Sequence, residues 1–133
     1  MASIRKEIAT KAAPEDAWAA IRDIGALHTR LVPGFVVDTR LEPGARVVTF
    51  GNGATIREPI IAVDERARRL VWSAEGGRST HYNAAMQAFA GGEGGASIVW
   101  IVDFLPDSLT PDLAAAMDMG MAVMKKTLDR LAE

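Results

Sequence analysis

Residues 110–131, TPDLAAAMDMGMAVMKKTLDRL, are the stretch on which the fold turns. Leu113, Met117, Met121, Met124, Leu128 and Leu131 recur at steps of four, four, three, four and three. That spacing lays one apolar stripe along a helix of about six turns. Asp118, Lys125, Asp129 and Arg130 fall off the stripe. Thr110 reads as the N-cap, Pro111 suits the first helical position and Asp112 the positive helix end. A helix of this length with one apolar face needs a surface of matching size against it.

The segments before it supply that surface. Phe35–Leu41, Arg46–Phe50, Thr55–Val63, Leu70–Glu75, Thr80–Ala90 and Ser97–Leu105 each read as a strand. Glu42-Pro43-Gly44, Gly51-Asn52-Gly53, Asp64–Arg68, Gly76-Gly77 and Gly91–Gly95 separate them, and Pro106 ends the last. Six strands at hairpin spacing predict an antiparallel sheet. Ser3–Thr10 is an opening strand. A helix starts at Pro14, with Ala17, Trp18, Ile21 and Ile24 as its apolar stripe and Gly25 to stop it. Ala26–Leu31 fits a second helical turn, closed by Pro33-Gly34. The predicted fold is therefore α+β: a seven-stranded antiparallel sheet curved around a long C-terminal helix, with two short helices after the first strand. It occupies one domain spanning residues 1–133. Where a curved sheet and a straight helix diverge, they leave a concave, mostly apolar space.

Composition narrows the partners. The chain has 133 residues, 49% hydrophobic, with 15 Lys/Arg against 17 Asp/Glu and no basic block. Nothing here resembles a nucleic-acid footprint. The absence of cysteine removes disulfides, thiol nucleophiles and cysteine-ligated metals. No apolar run reaches the 18 residues of a membrane span, and Met1–Lys6 do not read as a signal peptide. A cytoplasmic protein is expected.

Strand alternation selects the residues that face the helix. They are Leu70, Trp72 and Ala74, then Tyr82, Ala84, Met86 and Ala88, then Ile98, Trp100, Val102 and Phe104. Glu58 is the exception, because it shares a face with Ile56, Ile60 and Ala62. A carboxylate facing an apolar interior is costly unless paired. It either orients a ligand, acts as an acid/base of raised pKa, or pairs structurally with an arginine. The stripe of Met117, Met121 and Met124 is either plain core or an adaptable ligand wall. Trp72 and Trp100 are the tryptophans assigned to the cavity, and Trp18 is assigned to packing of the helix pair. His28, His81 and Glu58 lie on separate elements without metal-ligand spacing, so neither a metal nor a cofactor is expected.

Residues 17–23 (AWAAIRD), 57–60 (REPI), 63–65 (VDE) and 69–72 (RLVW) are followed by Gly76-Gly77, 80–83 (THYN) and 100–106 (WIVDFLP). In these motifs and their order the chain resembles the START/Bet v1-like helix-grip superfamily, which includes polyketide cyclase/dehydrase-like proteins, pathogenesis-related proteins and plant abscisic acid receptors. The resemblance covers essentially the whole chain. It implies a cavity for a hydrophobic or amphipathic small molecule. Glu58 matches a pocket-lining acid of the hormone receptors, six residues before an aspartate like Asp64, and Tyr82 matches a pocket tyrosine. The receptors' pocket lysine falls at Leu31, which argues against their anionic anchoring. Gly51-Asn52-Gly53 and Gly76-Gly77-Arg78 match the entrance loops.

Three functions follow as expectations. The first is binding of a hydrophobic or aromatic small molecule (a lipid, polyketide or similar) against Trp72, Trp100, Phe104, Met117, Met121 and Met124, oriented by Glu58 and Tyr82. The second is a cyclase/dehydratase-type enzyme with Glu58 as acid/base and Tyr82 or His28 assisting at a carbonyl oxygen. The third is a protein-interaction module whose core is filled. A homodimer stays open.

Overall fold

A computed structural model describes residues 1–133. Seven strands form one antiparallel sheet: β1 (Ala2–Thr10), β2 (Val36–Glu42), β3 (Ala45–Phe50), β4 (Thr55–Asp64), β5 (Arg69–Ser73), β6 (His81–Ala90) and β7 (Ala96–Leu105). Their spatial order is β1-β7-β6-β5-β4-β3-β2, so β2 to β7 form a meander and β1 closes the far edge beside β7. Helix α1 (Pro14–Arg22) and two short turns, Ile24–Ala26 and Leu27–Leu31, carry the chain from one edge of the sheet to the other. Helix α2 (Thr110–Asp129) follows β7. No helix is long and apolar enough to cross a membrane.

The predicted faces are observed. Leu70, Trp72, Ala84, Met86, Ala88, Ile98, Trp100, Val102 and Phe104 are buried against Met117, Met121, Met124 and Leu128 of α2. Trp18 and Ile21 of α1 join the same core. Gly120 sets the distance between helix and sheet. A Cβ there would stand 3.2 Å from both Phe35 and Trp100, so only glycine lets these two rings approach α2 so closely.

Helix α1 starts at Pro14 as expected, and the other helix boundaries depart from the expectation in detail. Thr110 does not cap α2. The short turn Asp107–Leu109 runs directly into the helix, and the Thr110 hydroxyl donates to the Asp107 carbonyl at 2.6 Å. Leu131 is not part of the buried stripe. The α-helix ends at Asp129, and the tighter turn Arg130–Ala132 rotates Leu131 outward, where it is 49% exposed. Helix α1 stops at Arg22, three residues before Gly25, and the region read as a second helix is a 3-10 turn followed by a π-helical turn.

The end of α2 is tied to the sheet edge by Asp129. Its carboxylate accepts from the Thr10 hydroxyl at 2.7 Å, from the Lys11 backbone N–H at 2.9 Å and from Lys125 Nζ at 3.2 Å. These donors, Thr10 foremost, hold its pKa down at about 2, against an ordinary 3.8. The folded value lies below the unfolded one, so this stabilisation is complete above about pH 4–5 and is lost as pH falls through the folded value. Asp129→Asn is therefore expected to lower the melting temperature at pH 6. The gap from wild type narrows below about pH 4 and closes near pH 2. Thermal unfolding across that range checks it; a gap independent of pH contradicts it.

Candidate functional site

Between the sheet and the first half of α2 lies a pocket of about 540 Å³, within the ~300–1,000 Å³ of small-molecule sites. Phe35, Phe50, Ile56, Ala74 and Trp100 line the sheet side, and Leu109, Leu113, Ala116 and Met117 the helix side. The rim is made by the β3–β4 turn (Gly51, Asn52) and the β5–β6 loop (Gly76–Ser79). Gly76 and Gly77 have φ of 99° and 73°, conformations that favour glycine at this rim. Across the mouth, Arg78 donates to Asp112 at 2.6 Å, an exposed ion pair joining the rim loop to α2.

Tyr82 enters this pocket from β6. Its hydroxyl finds no hydrogen-bond partner in the protein. Burial, followed by the negative charge of Glu58, raises its pKa above the ordinary tyrosine value. The group is thus a neutral phenol throughout the physiological range, able to donate one hydrogen bond to a bound molecule.

Glu58 is placed differently. It lies on β4 directly opposite Arg46 of β3, and Arg46 Nε donates to its Oε1 at 2.8 Å. The two side chains are 8% and 3% exposed, so this is a buried ion pair. Burial pushes the Glu58 carboxyl up, and the charge and hydrogen bond of Arg46 oppose that push without cancelling it. The Trp72 indole N–H also favours the ionised carboxylate, but it lies outside hydrogen-bonding geometry. The Arg46 guanidinium sits over the Trp72 ring, 5.3 Å from its centre. Of the alternatives for Glu58, the arginine-paired carboxylate is the arrangement observed.

A second, smaller space of about 40 Å³ adjoins the first. Arg46, Trp72, Leu31, Leu70, Met86 and Met124 contribute to its wall. Phe35, Phe50 and Trp100 line both spaces and form the partition between them. Phe35 and Phe50 meet edge-to-face, with ring centres 5.6 Å apart.

The expected ligand-facing residues therefore divide. Tyr82, Trp100 and Met117 line the large pocket, and Trp72, Trp100 and Met124 the small chamber. Glu58, Phe104 and Met121 are buried but line neither. His28 faces Thr39, with Nδ1 and Oγ1 3.0 Å apart, and His81 is exposed at the start of β6, so neither approaches Glu58. The sequence reading passed over Phe35, Phe50, Ala116 and Arg46. Arg46 had a readable signal. It stands six residues before Asn52 and Glu58 six after, so a hairpin centred on Asn52 pairs them.

A curved seven-stranded sheet gripping a C-terminal helix, with an apolar pocket between them, defines a START-like helix-grip domain. Solved structures agree on the fold. XoxI of Bacillus cereus superposes with a TM-score of 0.83 at 20% identity, over 98% of this chain and 94% of that one. A START superfamily protein from Mycobacterium smegmatis gives 0.72 at 12% identity, over 96% and 94%. Norcoclaurine synthase from Thalictrum flavum, in complex with dopamine and hydroxybenzaldehyde, gives 0.74 at 20% identity, over 98% and 85%. No curated protein matches the chain. Residues 1–133 match the family described as polyketide cyclase / dehydrase and lipid transport, and the chain belongs to that family.

Proposed function

We propose that the protein binds a hydrophobic or aromatic small molecule, a lipid, polyketide or similar compound, in the large pocket between sheet and helix. A cytoplasmic, cysteine-free setting is part of this reading. The observation that carries it is a largely apolar space of about 540 Å³ containing a tyrosine hydroxyl with no partner in the protein. Apolar ligand surface against Trp100, Met117 and Leu113 supplies affinity at about 25 cal/mol per Å² before the costs of association. Tyr82 supplies orientation. A fold neighbour crystallised with dopamine and hydroxybenzaldehyde is in keeping with small aromatic ligands. The same space speaks against a core filled by its own side chains. The acid/base reading has less support, since Glu58 is held by Arg46 and lines neither space.

The test is a titration with 2-methoxynaphthalene, an apolar bicycle with one ether acceptor, followed by tryptophan fluorescence. Saturable quenching is expected. Tyr82→Phe removes one neutral hydrogen bond and is expected to weaken binding about two- to tenfold without lowering stability. Absence of saturable binding by this and similar aromatic compounds overturns the proposal. Unchanged affinity in Tyr82→Phe removes the tyrosine from it.

A further inference from the structure

We propose that the small inner chamber is a second subsite of the same pocket, which takes a neutral acceptor oxygen, such as a ketone or ester carbonyl, at the buried end of the ligand and reads it through Arg46. The inference rests on the ligand-binding reading above and names the chemistry of its ligand. Three observations carry it.

The first is the wall. Arg46 is the one polar residue lining the chamber, and the other twelve are hydrophobic. The second is the hydrogen bonding of Arg46. Its Nε is committed to Glu58 at 2.8 Å, and its Nη1 reaches the Ile24 carbonyl only at 3.5 Å. A guanidinium carries five N–H donors, so this one keeps donors that no protein acceptor satisfies. The three tryptophan indoles are the fully buried groups without a partner, so the free Arg46 donors keep slight access to open space, where a ligand oxygen adds a hydrogen bond in surroundings that are otherwise apolar. The third is size and access. At about 10–15 Å³ per water-sized position, 40 Å³ accommodates about three heavy atoms, the size of an acetyl group. Phe35, Phe50 and Trp100 line both spaces, so the small chamber adjoins the large pocket across these three residues.

Charge decides which oxygen fits. Glu58 already neutralises Arg46, so a ligand carboxylate would bring an unbalanced negative charge into an apolar chamber. A carbonyl accepts the free N–H without that penalty. Glu58 is then a positioning residue: it holds the guanidinium by Nε and leaves the other edge to the ligand.

The probes are 6-acetyl-2-methoxynaphthalene and its 6-isopropenyl counterpart, in which a methylene replaces the carbonyl oxygen at nearly the same shape. The ketone is expected to bind wild type about fivefold or more tighter than the alkene. Arg46→Met/Glu58→Leu, which exchanges the ion pair for apolar side chains of similar size and retains the fold, is expected to abolish that preference. Tyr82→Phe is expected to keep it, which assigns the preference to Arg46. The Trp72 indole N–H resonance reports the inner chamber alone and is expected to shift with either acetyl or isopropenyl compound but not with 2-methoxynaphthalene. If 2-methoxynaphthalene binds but ketone and alkene bind equally, or the double variant keeps the preference, the inner subsite is overturned and the outer pocket stands. If none of the three binds, both fall.

Discussion

Glu58→Leu alone is expected to cost the folded protein about 3–5 kcal/mol, a large part of the stability of a domain this size. The reason is the partner left behind. Arg46 is 2% exposed and surrounded by apolar side chains, and removing Glu58 strands its charge there. The Trp72 ring over the guanidinium compensates only in part. Arg46→Met/Glu58→Leu is expected to recover most of the loss or to exceed wild type, since no buried charge remains. Urea unfolding of the three proteins measures this directly. A single variant as stable as wild type would mean that the pair is not buried as described.

The largest expected effect on binding comes from Ala116→Trp. Ala116 lies on the pocket side of α2, one turn before Gly120 and opposite the rim loops. An indole there occupies the space that the ligand needs. Binding of 2-methoxynaphthalene is expected to fall about tenfold or more, whereas the intrinsic helix preference of the new residue costs less than about 1 kcal/mol. Titration and thermal unfolding of the same sample separate the two effects. Undiminished affinity with an intact fold would place the ligand elsewhere.

Much of this architecture is legible in the sequence because its signals are periodic. The α2 stripe at helical spacing and the alternation on β6 and β7 each fix a buried face, and Met117, Met121, Met124, Leu128, Ala84, Met86, Ala88, Ile98, Trp100, Val102 and Phe104 are buried on those faces. The misread positions are those where a neighbouring element decides. Thr110 looks like a cap in isolation, but the preceding turn extends the helix start and redirects its hydroxyl. Leu131 continues the arithmetic of the stripe, but the helix has changed pitch by then.

The site is less legible than the fold, for the same reason. Pattern locates Glu58 on the inner face but does not choose among ligand, acid/base and ion pair. Only the cross-strand register with Arg46 makes that choice. The sequence pattern makes Phe35 the first residue of a strand. The strand begins one residue later, after Gly34 at φ 89°, and the Phe35 ring becomes part of the partition between the two spaces. Phe104 and Met121 have the right periodicity for a cavity wall, but periodicity does not separate a core residue from one beside a void.

The tryptophan indoles provide the most direct measurement. All three N–H groups are buried without an acceptor, and each occupies a different place. Trp100 lines both spaces, Trp72 only the small one, and Trp18 neither. In a titration of ¹⁵N-labelled protein with 2-methoxynaphthalene, the Trp100 indole resonance is expected to move saturably, with Trp18 and Trp72 fixed. A compound that binds while Trp100 stays fixed, or that moves Trp18 equally, would contradict a ligand pocket between the sheet and α2.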